Sequence, residues 1–365
     1  MNQSKAKAIS QPRFLIRHLG NMGDMVFFIP PILETLKKKY PNCHITFVTT
    51  WGFKEKTYSL FPYPRVTEKW GNRNQSGFCI ALMRENKNVD SLIHWHDTAL
   101  SLDGSICQEN GRRIPTWNKS YYEKQKKEGG YTNVFELDFG IGWEENPMQA
   151  LYAYMGMPEE DYSNYTLDIS EEDKEIAKAL TDKWESPRIM LLEGLEGKTT
   201  RGWDPGKIKE LENAIEKKYG VRPRWFGGRH APYYKGKQLS ITQNIATLAF
   251  CDVGIGVLSG PIHFAGAMRL PTITLYGDQP LHRAAPAYFL NPYIKNPKKL
   301  HRTILGASPS TISFLKHDKP SANLTPKEKK TQGNTSWQNP GRQSTKSALS
   351  VITTEEIMRV MEDIL

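Results

Sequence analysis

Cysteines are few in this chain and long apolar runs are absent, which excludes several classes of protein. The four cysteines are scattered, without a CxxC pair or any zinc-type spacing, at Cys43, Cys79, Cys107 and Cys251. We therefore expect reduced thiols in an intracellular protein, not a disulfide scaffold or a zinc module. The longest apolar run, residues 25–33, is too short to cross a bilayer and contains two prolines.

A secretory signal is also missing, because the N-terminus is polar and basic without an apolar core. We expect a cytoplasmic protein. The net charge of +10 favours acidic partners, namely phosphates or the anionic inner face of the plasma membrane, where the protein would be peripheral. The sequence contains no nucleic-acid recognition module, so nucleic acid is not an expected partner.

The first half of the chain alternates strand and helix patterns. A strand over 14–17 is followed by a glycine-rich turn at 18–24, a helix over 32–40 and a β-branched strand over 44–49. This βαβ order predicts a parallel sheet. The stretch 104–146 is polar and irregular and predicts loops with short elements.

A second α/β pattern starts at 188–192 and continues through a helix over 208–219. A length of 365 residues fits two domains, and two Rossmann-like halves are the simplest architecture. The predicted divisions are an N-terminal domain at 1–168, a C-terminal domain at 186–302, a flexible polar insert at 303–350 and a C-terminal helix within 351–365 that packs back on the body.

The most informative segment is 251–277, CDVGIGVLSGPIHFAGAMRLPTITLYG. A strand runs into Ser259 and Gly260, and Pro261 suits the first position of a helix. Free amides and the positive end of the helix dipole then form a cradle for an anion, most often phosphate. His263, one turn further on, adds a hydrogen-bonding group to the same cradle.

Two further turns carry candidate catalytic groups. Gly23 and Asp24 follow the first strand, at the edge of a parallel sheet where ligands bind, so Asp24 is a candidate general base. Its alternative role is to cap the next helix.

Lys198 and Arg201 follow the strand at 188–192, where a cation can neutralise a leaving diphosphate in place of a metal. A solvated basic loop is the alternative there.

The segment HWHD ends the third predicted strand at residues 94–97. No further ligands are spaced around it, so we do not expect a zinc site. His96 and Asp97 are candidates for a polar edge facing an acceptor, and a plain strand end is the alternative reading.

In their order, these segments resemble glycosyltransferase family 9, the ADP-heptose:lipopolysaccharide heptosyltransferase-like enzymes. The resemblance covers most of residues 13–290 and depends on four segments: IRHLGNMGDMVFFIPPILETLKKKYPNCHITFVT, VDSLIHWHD, MLLEGLEGKTTRGWDPGKIKELENAIEKKYGVRPRWFGG and TLAFCDVGIGVLSGPIHFAGAMRLPTITLYGDQP. It implies an α/β GT-B fold, in which two Rossmann-like domains with parallel sheets face a central cleft. The N-terminal domain would bind the acceptor and the C-terminal domain the nucleotide sugar.

The resemblance also implies an activity: inverting, metal-independent transfer of a sugar, with heptose as one candidate. The donor would be a nucleotide diphosphate sugar, used as co-substrate with no cofactor. The acceptor would be a cell-envelope glycan or glycolipid, as in lipopolysaccharide biosynthesis.

By position, Asp24 matches the family's catalytic base and Arg201 its diphosphate-stabilising cation. Ser259, Gly260 and His263 match its phosphate-binding residues. One position departs from the family pattern, where Leu258 replaces an Asp.

Two alternatives remain open at this level. A sugar-nucleotide epimerase would need acid and base groups on both faces of one sugar, and Asp24 is the one clear candidate. A catalytically weakened, glycan-binding relative is favoured by Leu258 and disfavoured by the presence of Asp24 and Arg201.

Overall fold

The computed structural model describes residues 11–18, 22–49, 78–95, 105–107, 113–137, 147–157, 167–195, 202–227, 230–276, 301–306 and 349–365. The chain divides into two compact units. One comprises residues 1–25 and 29–139, and the other comprises residues 26–28 and 140–365. None of the described helices is long and apolar enough to cross a membrane.

The first unit contains a six-stranded sheet with the order β4-β5-β3-β2-β1-β6. Its elements are β1 (Arg13–His18), α1 (Met22–Lys39), β2 (His44–Thr49), α2 (Phe78–Arg84), β3 (Ser91–Trp95), β4 (Ser105–Cys107), β5 (Arg113–Trp117), α3 (Lys119–Glu128) and β6 (Asn133–Glu136). All neighbouring strands are parallel except β4 and β5. The central strands are largely buried, as expected for a parallel sheet covered on both faces.

Helix α1 begins ten residues earlier than the sequence predicts, and Pro30 and Pro31 lie inside it. Proline normally ends a helix because it removes a backbone hydrogen bond. Here the apolar residues repeat at helical spacing on both sides of the prolines, and they are fully or almost fully buried: Met25, Val26, Ile29, Ile32, Leu33 and Leu36. Burial of this stripe offsets the lost hydrogen bonds, so the predicted glycine-rich turn is correspondingly shorter.

The stretch 104–146, expected to hold loops with short elements, contains β5, α3 and β6 in its central part. β6 extends the sheet by pairing in parallel with β1, with Phe14 opposite Asn133. Helix α3 is polar on most sides and buries Tyr122 alone. These elements are stabilised by tertiary pairing and have no strong periodicity of their own, so the sequence pattern did not predict them.

The second unit contains a fully parallel five-stranded sheet with the order β13-β12-β11-β7-β8. Its elements are α4 (Pro147–Tyr154), α5 (Glu171–Thr181), β7 (Ile189–Leu192), α6 (Pro205–Tyr219), β8 (Arg224–Phe226), the hairpin β9 (Tyr233–Tyr234) and β10 (Lys237–Gln238), α7 (Ile241–Thr247), β11 (Val253–Val257), α8 (Gly260–Ala267), β12 (Thr272–Tyr276), β13 (His301–Leu305) and α9 (Thr354–Glu362). The predicted α/β class with two parallel sheets is confirmed.

The two faces of this sheet are covered by different helices. Alternate strand residues, among them Leu191, Ile255 and Leu275, belong to one core with apolar residues of α6 and α9. On the opposite face, Gly254 and Gly256 let Leu270 and Leu192 approach the strand closely.

Helix α4 lies inside the predicted N-terminal domain, at 1–168, and groups with the second unit. Helix α5, which lies between the two predicted domains, groups with the same unit. Tertiary packing determines which core the apolar face of such a helix joins, and the sequence of the helix itself does not. The predicted insert at 303–350 overlaps β13, while residues 307–348 lie outside the described ones. Leu349 is buried in the second core together with Ile357 of α9.

Candidate functional site

Three turns meet at the carboxyl edge of the second sheet. They follow the adjacent strands β8, β7 and β11 and contain Gly227, Glu193 and Ser259 respectively. The amide of Glu193 donates to the carbonyl of Phe226 at 2.7 Å. At Gly194, whose φ is +117°, an added Cβ would lie 2.8 Å from Ser259 Oγ. The turns therefore pack so closely that the left-handed backbone and the lack of a side chain are both needed at this glycine.

Ser259 is the residue that joins two of these turns. Its Oγ lies 3.2 Å from the Glu193 carbonyl oxygen and 3.1 Å from the Val257 carbonyl oxygen, and it donates its one proton to these acceptors. The side chain makes no capping bond to helix α8, although Ser259 is the N-cap residue. The side chain of Ser259 is thus oriented by backbone carbonyls, and Leu258 beside it is half-buried.

Helix α8 begins at Gly260, so Pro261 is its second residue and not its first as expected. Pro261 has no N–H, and the Ile262 amide donates to the Ser259 carbonyl at 3.1 Å. The Gly260 amide is therefore the backbone donor that this helix start offers to an anion, together with the positive end of the dipole. The phosphate cradle at this helix start stays a prediction.

His263 lies one turn into α8, and burial lowers the pKa of its imidazole to about 4. It is therefore neutral near pH 7, and it can offer a hydrogen bond to a phosphate but no positive charge. The charge that neutralises a diphosphate must come from elsewhere.

A histidine that the sequence did not suggest, His301, begins β13 and pairs with Thr272, the first residue of β12. Burial, with a smaller effect from His263, lowers the pKa of His301 to about 3. Its Nδ1 is 2.5 Å from Thr272 Oγ1, and its Nε2 is 3.4 Å from the Tyr276 hydroxyl. The two neutral imidazoles thus belong to one buried polar region. A single histidine at the start of a strand has no sequence pattern that predicts a buried, neutral imidazole.

The segment that contains Lys198 and Arg201 lies outside the described residues, but its two ends are held at the edge of β7. The Trp203 amide donates to the Leu195 carbonyl at 2.7 Å, and Trp203 is buried in the second core. Asp204 then caps α6, accepting the Gly206 amide at 2.8 Å. The basic segment therefore starts and ends beside the turn that Ser259 contacts.

On the first sheet, Gly23 and Asp24 lie in the first turn of α1, directly after β1. They are helical and not part of an open turn, because the helix starts at Met22. The side chain of Asp24 lies outside the described part of the structure, as do His96 and Asp97. Within the described ranges, no group of three or more His, Cys, Asp or Glu is arranged to hold a metal ion.

Comparison with known proteins finds one family pattern in the second unit and a shared fold over the whole chain. Residues 236–308, which include the Ser259 turn and α8, match the sequence pattern of glycosyltransferase family 9 (heptosyltransferase). No curated protein sequence matches the chain.

Two solved structures resemble the chain over almost its whole length. One is a glycosyl transferase of family 9 from Veillonella parvula, with a TM-score of 0.54 and 14% identity, covering 97% of each chain. The other is ADP-heptose LPS heptosyltransferase II from E. coli, with a TM-score of 0.50 and 14% identity, covering 96% of this chain and 98% of that one. The predicted resemblance is confirmed: the second unit carries the sequence pattern of glycosyltransferase family 9, and the chain has the GT-B fold of that family's solved structures.

Proposed function

We propose that this chain, which carries a glycosyltransferase family pattern, transfers a sugar from a nucleotide diphosphate donor to a hydroxyl of a cell-envelope glycan or glycolipid. The observation that supports it best is the contact of the Ser259 turn with the Glu193 turn beside the start of α8. A helix start at the carboxyl edge of a parallel sheet is a common diphosphate site. The E. coli structure is described as an ADP-heptose LPS heptosyltransferase, so ADP-heptose is the first donor to test.

The donor diphosphate would lie against the Gly260 amide and the N-terminal end of α8. His263 would donate a hydrogen bond as a neutral imidazole. Arg201 and Lys198, on the segment that leaves and rejoins the edge of β7, would supply positive charge. Two cations and a helix dipole can stabilise the departing diphosphate without a metal ion.

Asp24 would act as the general base. It would take the proton of the acceptor hydroxyl while that oxygen attacks the anomeric carbon from the side opposite the diphosphate. The bond between the anomeric carbon and the phosphate oxygen breaks with its electron pair leaving on the diphosphate, so the configuration inverts. Gly23, His96 and Asp97 would border the acceptor. The reaction would take place in the cytoplasm, at the inner face of the membrane that carries the acceptor.

The test uses the purified chain with a panel of nucleotide sugars, with and without lipopolysaccharide-core acceptors. We expect release of nucleoside diphosphate only when both substrates are present. Asp24→Asn should abolish turnover and leave the donor Kd within about twofold, because the base does not contact the donor phosphates. Full turnover in Asp24→Asn would overturn the assignment of the base. Conversion of the donor without an acceptor would instead indicate an epimerase, and donor binding without any turnover would indicate a binding relative.

A further inference from the structure

One stretch of the second unit is strongly basic. From Lys217 to Cys251 there are seven lysines and arginines and no Asp or Glu. Two of these cations pair with carboxylates outside the stretch: Lys218 pairs with Glu362, and Arg222 lies 2.9 Å from Glu216. The remaining cations of the stretch include those of the β9–β10 hairpin and the first residue of β8.

The hairpin is largely exposed, with Tyr233 and residues 235–237 open to solvent. Its strands pair Tyr234 with Lys237, and its turn residues Lys235 and Gly236 have φ values of +50° and +78°. A two-residue turn with two positive φ values matches the twist of a hairpin. Tyr233 is 66% exposed, more than any other large apolar or aromatic side chain in the described ranges.

Cations and aromatic rings alternate around this hairpin. The Lys183 ammonium lies 5.4 Å and the Lys235 ammonium 5.3 Å from the Tyr234 ring centroid. The Arg224 guanidinium lies 5.6 Å from the ring of Trp184. The end of α5, the start of β8 and the hairpin thus carry one basic and aromatic surface. We call it the hairpin surface, and it comprises Lys183, Trp184, Arg224, Tyr233–Tyr234, Lys235 and Lys237.

The charges of this surface have no carboxylate partners among the described residues. Within the described part of the chain, none of its four cations forms an ion pair. Asp182, at the end of α5, is already 2.5 Å from Lys178 and 3.7 Å from Arg188. Glu185 is the one other carboxylate between α5 and β7. Its single negative charge is smaller than the four positive charges of the surface.

We propose that the hairpin surface binds the headgroups of an anionic phospholipid bilayer. Lysines and arginines near a membrane are attracted to anionic lipids, and tyrosine and tryptophan rings favour the headgroup level because they are apolar with one polar atom. Nucleic acid fits less well, since the rings of Tyr234 and Trp184 are already engaged by cations and are not open platforms for bases. Arg224 begins β8, whereas Ser259 follows the carboxyl end of β11. This lipid partner adds to the proposed function and rests on the placement of that function at the membrane, but vesicle binding is measured apart from turnover, so either can fail alone.

The test is cosedimentation of the full chain with vesicles. One set contains phosphatidylcholine alone, and the other contains equal amounts of phosphatidylcholine and phosphatidylglycerol. We expect binding to the second set only, weakened by salt. The double variant Lys235→Gln/Lys237→Gln should lower the partition coefficient roughly 30-fold, from the usual contribution of two cations at such a surface.

The matched control is Lys209→Gln/Lys217→Gln, which removes the same charge from α6 on the opposite face of the sheet. It should bind as the unchanged protein does. For the aromatic part, Tyr233→Ser should weaken binding, while Tyr154→Ser, another exposed tyrosine, should not. Equal losses in both double variants, equal binding to neutral vesicles, or binding of a labelled oligonucleotide but not of vesicles would each overturn the proposal.

Discussion

The hydroxyl of Ser259 lies 3.2 Å from the carbonyl oxygen of Glu193, which ties the turn after β11 to the turn after β7. The contact needs Gly194, since a Cβ there would lie 2.8 Å from the same hydroxyl oxygen. A residue that carries no functional group thus controls the position of the Ser259 turn. The contact can be tested by substitution.

Gly194→Ala should displace Ser259 and weaken donor binding about tenfold or more, and it should destabilise the fold by about 1–3 kcal/mol through backbone strain. Gly220→Ala is the matched control, because Gly220 also has a positive φ, of +72°, but open space at the Cβ position. It should show a similar loss of stability with an unchanged donor Kd. Isothermal titration with the nucleoside diphosphate and urea unfolding measure the two effects. Equal donor affinities in both variants would contradict the role of this contact.

Arg201→Gln should reduce kcat by about 100-fold or more, because the departing diphosphate would lose a positive charge. His263 cannot replace it, since burial holds its pKa near 4 and the ring is neutral at pH 7. Turnover of the unchanged chain should not respond to EDTA. A steady-state assay of diphosphate release measures both. Restoration of activity by added Mg²⁺ alone, or loss of activity in EDTA, would contradict a metal-independent reaction.

Stability should fall as the pH decreases below about 6.5. The pKa values of His263 and His301 are lowered to about 4 and about 3 in the folded chain, so they stay neutral while the unfolded chain takes up protons. Each histidine then lowers the free energy of unfolding by about 1.4 kcal/mol for every pH unit of acidification between 6.5 and its folded pKa. Urea unfolding across this range measures the slope. His301→Asn should reduce the slope by about half, and an unchanged slope would show that His301 is not neutral in the fold.

Ile357→Ala, in the C-terminal helix α9, should destabilise the second unit by about 2–5 kcal/mol, because Ile357 is fully buried in its core. Val351→Ala is the control, since Val351 is 59% exposed and should change stability by less than about 0.5 kcal/mol. Thermal unfolding compares them. Similar midpoints for both variants would mean that α9 does not contribute to the core.

The sequence by itself determined the elements whose signals are local. β2, β11 and β12 begin and end where the alternation of β-branched residues predicts, and α6 was recognised apart from its first three residues. The proline, the small residues and the strand before them were enough to indicate a helix start that suits phosphate at Ser259. A strand followed by a cap is encoded in a few consecutive residues, so no distant contact is needed to specify it.

Tertiary structure decided what depends on partners far along the chain. Because of tertiary contacts, α1 continues through Pro30 and Pro31 and β6 pairs with β1. For the same reason α4 packs in the second unit. Tertiary structure also placed His301 in one buried polar region with His263 and made both rings neutral. Burial and strand pairing are set by the whole core, and a residue's own neighbours in sequence do not specify them.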